Sequence, residues 1–458
     1  MTQRTANHQL KALIEESGLP YDGVARAVKA VALESGQRLG TNRSAVHHWT
    51  LGAEPSGATP GYLAEELSRR LGRRITREDL GLGSPTGGED DSIGLTLDFD
   101  PIETLTAIGE ADVNRRRFLT ASAYSMAAAT LPLQAVQEAA ARTRTVSGGG
   151  VAGHADVAAV RDMVKLFMDM DERHGGQHGR SAFVEYLVTD VAQLCRGRFA
   201  SHDVRAEALS VASAGAHLAG WKAYDSGEQG LAQRYYLQSL ALARASGVPG
   251  QDGFVMRTMS QQGMKLHRPE HCLALAESGW ERARGRVGQQ VEALFAVTHA
   301  HALAKTGQTR RALADVQLAE TSLAAGAGDE VPFWALVWGP PTATVHSRTA
   351  KVFETVGDRP NAAHQYATAA ASRPGATYAR IIALDLVAQA EQQAKQGSIE
   401  QACTTWDRAI DTMAGVKSTR TLKAVRSLRS DLRPYRARGV RIAAELDERA
   451  RVFLDRHH

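Results

Sequence analysis

Apolar and small residues recur along this chain with the period of helices, and its second half keeps a longer register as well. Gly220, Ser260, Ala300, Ala350 and Ala390 are small positions, and seven residues beyond each comes a turn position: Gly227, His267, Gly307, Gly357 and Gly397. Five further on stand Ala232, Cys272, Ala312, Ala362 and Ala402. Each is followed at i+4 by Tyr236, Ala276, Val316, Tyr366 or Trp406, and at i+7 by Ser239, Gly279, Ala319, Ala369 or Ala409. The turn positions lie 40, 40, 50 and 40 residues apart. A repeat of this length predicts stacked helical hairpins, none of which buries its apolar face alone. Small residues let the two helices approach, and glycine ends the first helix in a left-handed cap. The i, i+4 and i+7 positions then form one stripe on the second helix.

The N-terminal residues predict a compact bundle over 8–82. Gln9 to Ser17 places Leu10, Leu13 and Ile14 on one face. A helix from Tyr21 does the same with Val24, Ala25, Val28 and Val31. A third runs from Asn42 to Leu51 and ends at Gly52. A fourth follows Pro60 with Leu63, Leu67 and Leu71 inward and Gly72 at its end, and Ile75 to Leu80 adds a capped turn. No sustained alternation of period two appears, so the expected fold class is all-α: an N-terminal helical bundle, which the resemblance given below makes a helix-turn-helix, followed by an α-solenoid. The expected organisation is the bundle at 1–82, an acidic linker at 83–113, a connecting helix at 114–150 and the repeats at 151–458.

The repeat register resembles the tetratricopeptide pattern of small residue, glycine turn, Ala, aromatic and Ala, with a longer period. The bundle resembles the phage-repressor, or Xre, type of helix-turn-helix. The matching residues are Val24-Ala25 and Arg43-Ser44-Ala45-Val46-His47-His48-Trp49, with Gly52 and Pro55 before the Leu63-bearing helix. The resemblance implies that Val46 and Trp49 pack inward. Asn42, Arg43, Ser44, His47 and His48 then face double-stranded DNA, Arg43 being suited to guanine and Asn42 to a phosphate. Ala25 and Val46 stand 21 residues apart, about twice the family's spacing, so Lys29 to Gly40 includes an insertion that extends the second helix or forms a wing. The whole arrangement is similar to actinobacterial helix-turn-helix regulators with C-terminal tetratricopeptide repeats, some of them negative regulators of sporulation and antibiotic production. That likeness extends to Arg115–Leu119, Asp171–Gly176, Gly220-Trp221 and Trp338-Gly339-Pro340-Pro341 leading into His346.

First helices of such repeats line the concave face. The inward candidates for a signalling peptide, small ligand or protein partner are His217, Trp221, Tyr224, Arg257, Gln261, Met264, His301, Ser347, Lys351 and Glu354, with Glu391 beyond them. Asn361 is the only asparagine after residue 114, which disfavours a peptide held by inner-face asparagines. The interval from Ala324 to Pro341, with Phe333, Trp334 and Trp338, reads as a lid or as a buried connection.

Charge and chemistry change the picture little. The net charge of +4 is uneven: Ser84 to Val113 has no Lys or Arg but carries Glu89, Asp90, Asp91, Asp98, Asp100, Glu103, Glu110 and Asp112. The stretch from Lys417 is basic, and the linker is expected to be a solvated spacer or a mask over the basic helices or the bundle. Asn114-Arg115-Arg116-Arg117-Phe118-Leu119 looks like a twin-arginine export signal. Its position after a hundred residues and its short, Ser/Thr-interrupted apolar run favour a connecting helix instead. Cys195, Cys272 and Cys403 lie far apart, which fits a reduced cytoplasmic setting. No phosphate loop, dinucleotide fingerprint, HExxH or nucleophile elbow is present, so no enzyme and no cofactor are expected. His174 and His178 sit among glycines, and His299 and His301 point to different helix faces, so no metal is expected either. The expected function is a dimeric, cytoplasmic, DNA-binding transcriptional regulator with no membrane association. The alternative is a protein-interaction scaffold that does not bind DNA.

Overall fold

The computed structural model describes residues 5–35, 37–82, 93–95, 99–113, 124–125, 151–266, 269–336 and 339–456. The twin-arginine-like segment, Glu89, Asp90, Asp91, Asp98, His267 and Trp338 lie outside them. The fold is all-α. Its one sheet among the described residues is a parallel pairing of β1 (Val151–Ala152) with β2 (Arg198–Phe199). The chain divides into two compact units, Met1–Val157 with Ser181–Ser246, and Ala158–Arg180 with Gly247–His458.

The first unit opens with α1 (His8–Ser17), α2 (Tyr21–Glu34), α3 (Arg43–Thr50) and α4 (Thr59–Leu71). Their shared core holds Leu10, Ile14, Val24, Val28, Val46, Trp49, Leu63 and Leu67. Asn7 starts α1, its side chain accepting from the Leu10 amide, and Gly18 and Gly72 end α1 and α4 with φ of 68° and 66°. The stretch after Lys29 extends α2 to Glu34, and residues 37–42 have no regular secondary structure. Arg69 of α4 fixes that extension, donating to Glu34 at 2.8 and 2.9 Å, to Glu65 at 2.7 Å and to the Tyr124 carbonyl at 2.9 Å. Burial works against the Arg69 charge, but the two carboxylates outweigh it and hold the guanidinium protonated.

Helix α5 (Pro101–Val113) is capped by Asp100, whose carboxylate accepts from the Ile102 amide at 2.7 Å. Its Asp112 accepts from the Tyr235 hydroxyl at 2.9 Å. Helix α6 (His154–His174) begins in the first unit and belongs to the second from Ala158 on. A bent stretch made of α7 (Arg180–Tyr186), a wide turn at Leu187–Val191 and α8 (Ala192–Arg196) leads to the first hairpin, α9 (His202–Asp225) and α10 (Gln229–Ser246).

The second unit stacks α11 (Gln251–Lys265) with α12 (Pro269–Ala283), α13 (Gln289–Lys305) with α14 (Thr309–Ala325), α15 (Pro341–Val356) with α16 (Arg359–Ala371), and α17 (Ala379–Lys395) with α18 (Ile399–Thr412). It closes with α19 (Thr419–Ala437) and α20 (Arg441–Asp455). Each expected small or alanine-like position is buried within its hairpin: Ser260, Ala300, Ala350 and Ala390 on first helices, and Ala232, Cys272, Ala312, Ala362 and Ala402 on second helices. Gly227, Gly307, Gly357 and Gly397 take φ between 78° and 88° at the turns. The approach is closest at glycine. A Cβ on Gly253 would lie 2.4 Å from the Gly279 carbonyl oxygen, and one on Gly220 would lie 2.6 Å from the Tyr236 ring.

Two other features hold elements of the second unit together. Arg380 of α17 is fully buried and pairs with Asp171 at 2.7 Å and Glu172 at 3.0 Å, tying the end of α6 to the repeats. In the long interval Trp334 is 5% exposed and meets the Phe254 ring edge-on at 5.4 Å, and Arg161 lies over Phe333 at 5.8 Å, while residues 327–330 are exposed. The basic α19 is partly neutralised within its own hairpin, where Asp447 of α20 accepts from Arg429 at 2.8 Å and from Arg436 at 2.5 Å.

Two substitutions test this packing. Gly220→Ala should lower stability by about 1–3 kcal/mol in urea unfolding, because over-packing against Tyr236 exceeds the gain in helix propensity. A more stable variant would contradict the close approach. Trp406 has no exposed surface at the centre of the α17/α18 core, and Trp406→Ala should cost about 3–5 kcal/mol in the same measurement.

Candidate nucleic-acid interface and inner repeat face

Helix α3 is short and strongly two-sided. Val46 and Trp49 are buried, and Asn42, Arg43, Ser44, His47 and His48 are exposed. Arg43 and His47, and likewise Ser44 and His48, stand four apart, so these side chains share one outward face. Asn42 begins the helix, its side-chain oxygen accepting from the Ala45 amide at 3.0 Å, and that oxygen is therefore engaged in the cap. The His47 ring lies 5.8 Å from the Tyr21 ring and 6.1 Å from that of His48. The exposed face thus begins at a helix N-terminus and carries one guanidinium, one hydroxyl and two imidazoles, a set able to donate to phosphates or to base edges.

The inner-face candidates divide between the two units. In the first, His217, Trp221 and Tyr224 are 3%, 5% and 6% exposed. Trp221 stacks on Tyr224 at 5.2 Å, and His217 lies 5.4 Å from the Tyr236 ring, so these residues are packed rather than presented at an open surface. In the second unit, Arg257, Gln261, Met264 and His301 are also buried, and Ser347, Lys351 and Glu354 form a half-buried margin. Periodicity identifies the face of a helix, but it does not tell whether that face is covered.

Among the buried members of the second unit, Arg257 and Gln261 are held in place by hydrogen bonds. Arg257 donates through Nε to the Leu294 carbonyl at 2.9 Å, and its guanidinium lies over Phe254 at 5.1 Å. Gln261 donates to the Thr298 hydroxyl at 3.2 Å. Lys351 pairs with Glu354 at 2.8 Å, Glu354 accepts from the Tyr366 hydroxyl at 2.6 Å, and Ser347 donates to Asp385 at 2.8 Å. His299 turns the other way, to Asp315 at 2.6 Å and Glu277 at 3.5 Å. His301 has neither ring nitrogen hydrogen-bonded, although it is 5% exposed. Burial, and then the charges of Arg348, Lys305, Lys351 and Lys265, hold its pKa well below the ordinary imidazole value. Burial and then Arg348 likewise push the Arg257 pKa down. The helical pattern marked His301 and Arg257 as inward, but it missed Arg348, which acts on both.

Chemistry elsewhere is sparse. His174 ends α6 and its ring lies 4.9 Å from that of His178, but no group of side chains suited to a metal occurs among the described residues. Burial pushes the Cys195 and Cys272 thiols up to about 12, which keeps them protonated and unreactive at neutral pH. No described helix is long and apolar enough to cross a membrane.

Residues 10–83 match a family model described as the SP15 N-terminal domain. The matched segment coincides with the α1–α4 bundle and the turn after it, including the exposed face of α3, and stops before α5. No curated protein matches the chain.

His301 sets a pH dependence. Its pKa is depressed in the folded protein, so below the unfolded value of about 6.5 the unfolded chain takes up a proton that the folded chain resists. Stability contributed by the neutral ring is therefore full above that pH and falls as the solution is acidified. Between about pH 7.5 and 5.5 the native chain should lose more stability than His301→Gln, read by denaturant unfolding at each pH. Equal losses would show that His301 protonates freely.

Proposed function

We propose that the chain is a DNA-binding transcriptional regulator resembling the Xre type, whose helical-hairpin array serves as the input surface for a ligand or partner. The observation that carries this reading is α3: an eight-residue helix anchored by Val46 and Trp49 that presents Arg43, Ser44, His47 and His48 together on its outer face. A recognition helix needs this combination of a rigid apolar back and a donor-rich front. The hairpin array supports the second half, since stacked hairpins form extended surfaces for recognition. The three buried cysteines suit a reducing cytoplasm.

The exposed face of α3 carries few fixed charges, so one copy would make few phosphate contacts. A homodimer on a two-fold site would double them, and ligand binding to the array would act by biasing the spacing of the paired α3 helices. A mobility-shift assay on selected duplexes tests the proposal. The full chain should bind selectively, and Arg43→Ala should weaken the preferred site by about 1–3 kcal/mol while leaving thermal stability unchanged, because the side chain is exposed. Selective binding that survives Arg43→Ala would remove α3 from the interface. A chain that binds no duplex above the non-specific level would favour a protein-interaction scaffold.

A further inference from the structure

Helix α19 is basic on the side turned away from its core. Thr421, Val425, Leu428 and Leu432 are buried on one face. Lys423, Arg426, Ser430 and Arg433 are exposed, at spacings of three, four and three residues. At about 100° per residue these four fall within roughly 80° of one another around the helix, on the far side from the buried residues. With a rise of about 1.5 Å per residue, the stripe from Lys423 to Arg433 is roughly 15 Å long.

Among the described residues, no carboxylate pairs with Lys423, Arg426 or Arg433. Asp431 is the only acidic residue of α19, and it lies on another side of the helix, within electrostatic reach of Lys395 on α17. On α20, Asp447 is taken by Arg429 and Arg436, Glu445 by Arg441, and Glu448 and Asp455 by Arg451. Asp407 and Asp411 of α18 are taken by Arg449. Like charges three and four apart on one helix repel, so the packing beneath the stripe holds its cations together against that repulsion.

What answers this charge must be anionic, and the make-up of the face indicates which anion. Hydroxyls stand between the cations, at Ser427 and Ser430, and no large apolar side chain is exposed on α19. A protein partner docks through aromatic or aliphatic anchors, and an anionic membrane holds an amphipathic helix by its apolar face; this face offers neither. A nucleic-acid backbone needs only cations and hydroxyl donors along a line. Duplex DNA carries a phosphate about every 3.4 Å along each strand, so the stripe is long enough for about four.

We propose that the exposed face of α19 is a second nucleic-acid contact, in which Lys423, Arg426 and Arg433 meet the phosphates of a duplex and Ser430 donates between them. This goes beyond the reading of α3 and does not depend on it. Selectivity is assigned to α3, and to α19 an affinity that is the same on every sequence.

Fluorescence anisotropy of the full chain on a duplex of arbitrary sequence, over a series of salt concentrations, tests the proposal. The variant carrying Lys423→Gln, Arg426→Gln and Arg433→Gln should bind about tenfold or more weakly at low salt. Its log–log salt slope should be shallower by about 2–3, since each lost phosphate contact removes about 0.9. All three side chains are exposed, so its thermal unfolding should not fall below that of the native chain. A control of equal charge, carrying Lys305→Gln, Arg310→Gln and Arg311→Gln at exposed positions of α13 and α14, should keep the native slope. An unchanged slope in the α19 variant, the same loss in both variants, or a chain that binds no duplex overturns the contact. So does binding of poly-glutamate that the α19 variant abolishes while duplex binding stays intact, which would assign the face to an acidic polypeptide. The mobility-shift assay on the same preparation separates the two claims. A slope that the α19 variant lowers, without any sequence selectivity, sinks the reading of α3 and leaves this contact standing. Selective binding whose slope the α19 variant leaves unchanged does the reverse.

Discussion

The close approach of two helices inside each hairpin is the constraint on which the rest depends. Where Gly253 faces Gly279, no side chain separates the backbones, and at Gly220 the Tyr236 ring fills the space a methyl group would need. Ser260 uses the same proximity differently, donating to the Cys272 carbonyl at 2.7 Å. Because the paired helices sit so near, bulky residues are displaced to the other faces, either between successive hairpins or onto the inner side. First helices of the second unit carry Arg257, His301 and Arg348. Interior positions there can carry charge: an inner face is only half a core, and it can hold polar groups that a sandwiched stripe cannot.

The N-terminal bundle solves a separate problem. Its α2 is longer than the resemblance leads one to expect, and a longer helix needs an anchor at its far end. Arg69 supplies it, reaching Glu34 and Glu65 from a nearly buried position. With α2 held, α3 can be short, since its apolar residues Val46 and Trp49 dock into a core that α1, α2 and α4 have already closed. The exposed side of α3 then owes little to folding, and its residues are available for recognition.

Much of this was legible in the chain itself. Turn glycines and buried alanines at fixed intervals gave the hairpins, because both report backbone geometry and close packing, which local sequence encodes directly. The inward face of α3 followed from Val46 and Trp49 for the same reason. Burial of His217, Trp221 and Tyr224 was not legible, since periodicity assigns a direction but not a covering partner. The Arg380–Asp171 pair was hidden for a related reason: its members stand 209 residues apart, and no local pattern links them. Arg348 escaped notice because it falls one position off the expected inner register, yet its charge bears on both His301 and Arg257.

The central claim is that α3 reads duplex sequence. Selection of binding sites by the full chain from a random pool of duplexes addresses it most directly. The account predicts enrichment of one motif with two-fold symmetry, its half-sites spaced by about one helical turn, and loss of that motif when Arg43 is replaced by Ala. A pool that remains random after repeated rounds, or a motif indifferent to Arg43, would contradict it.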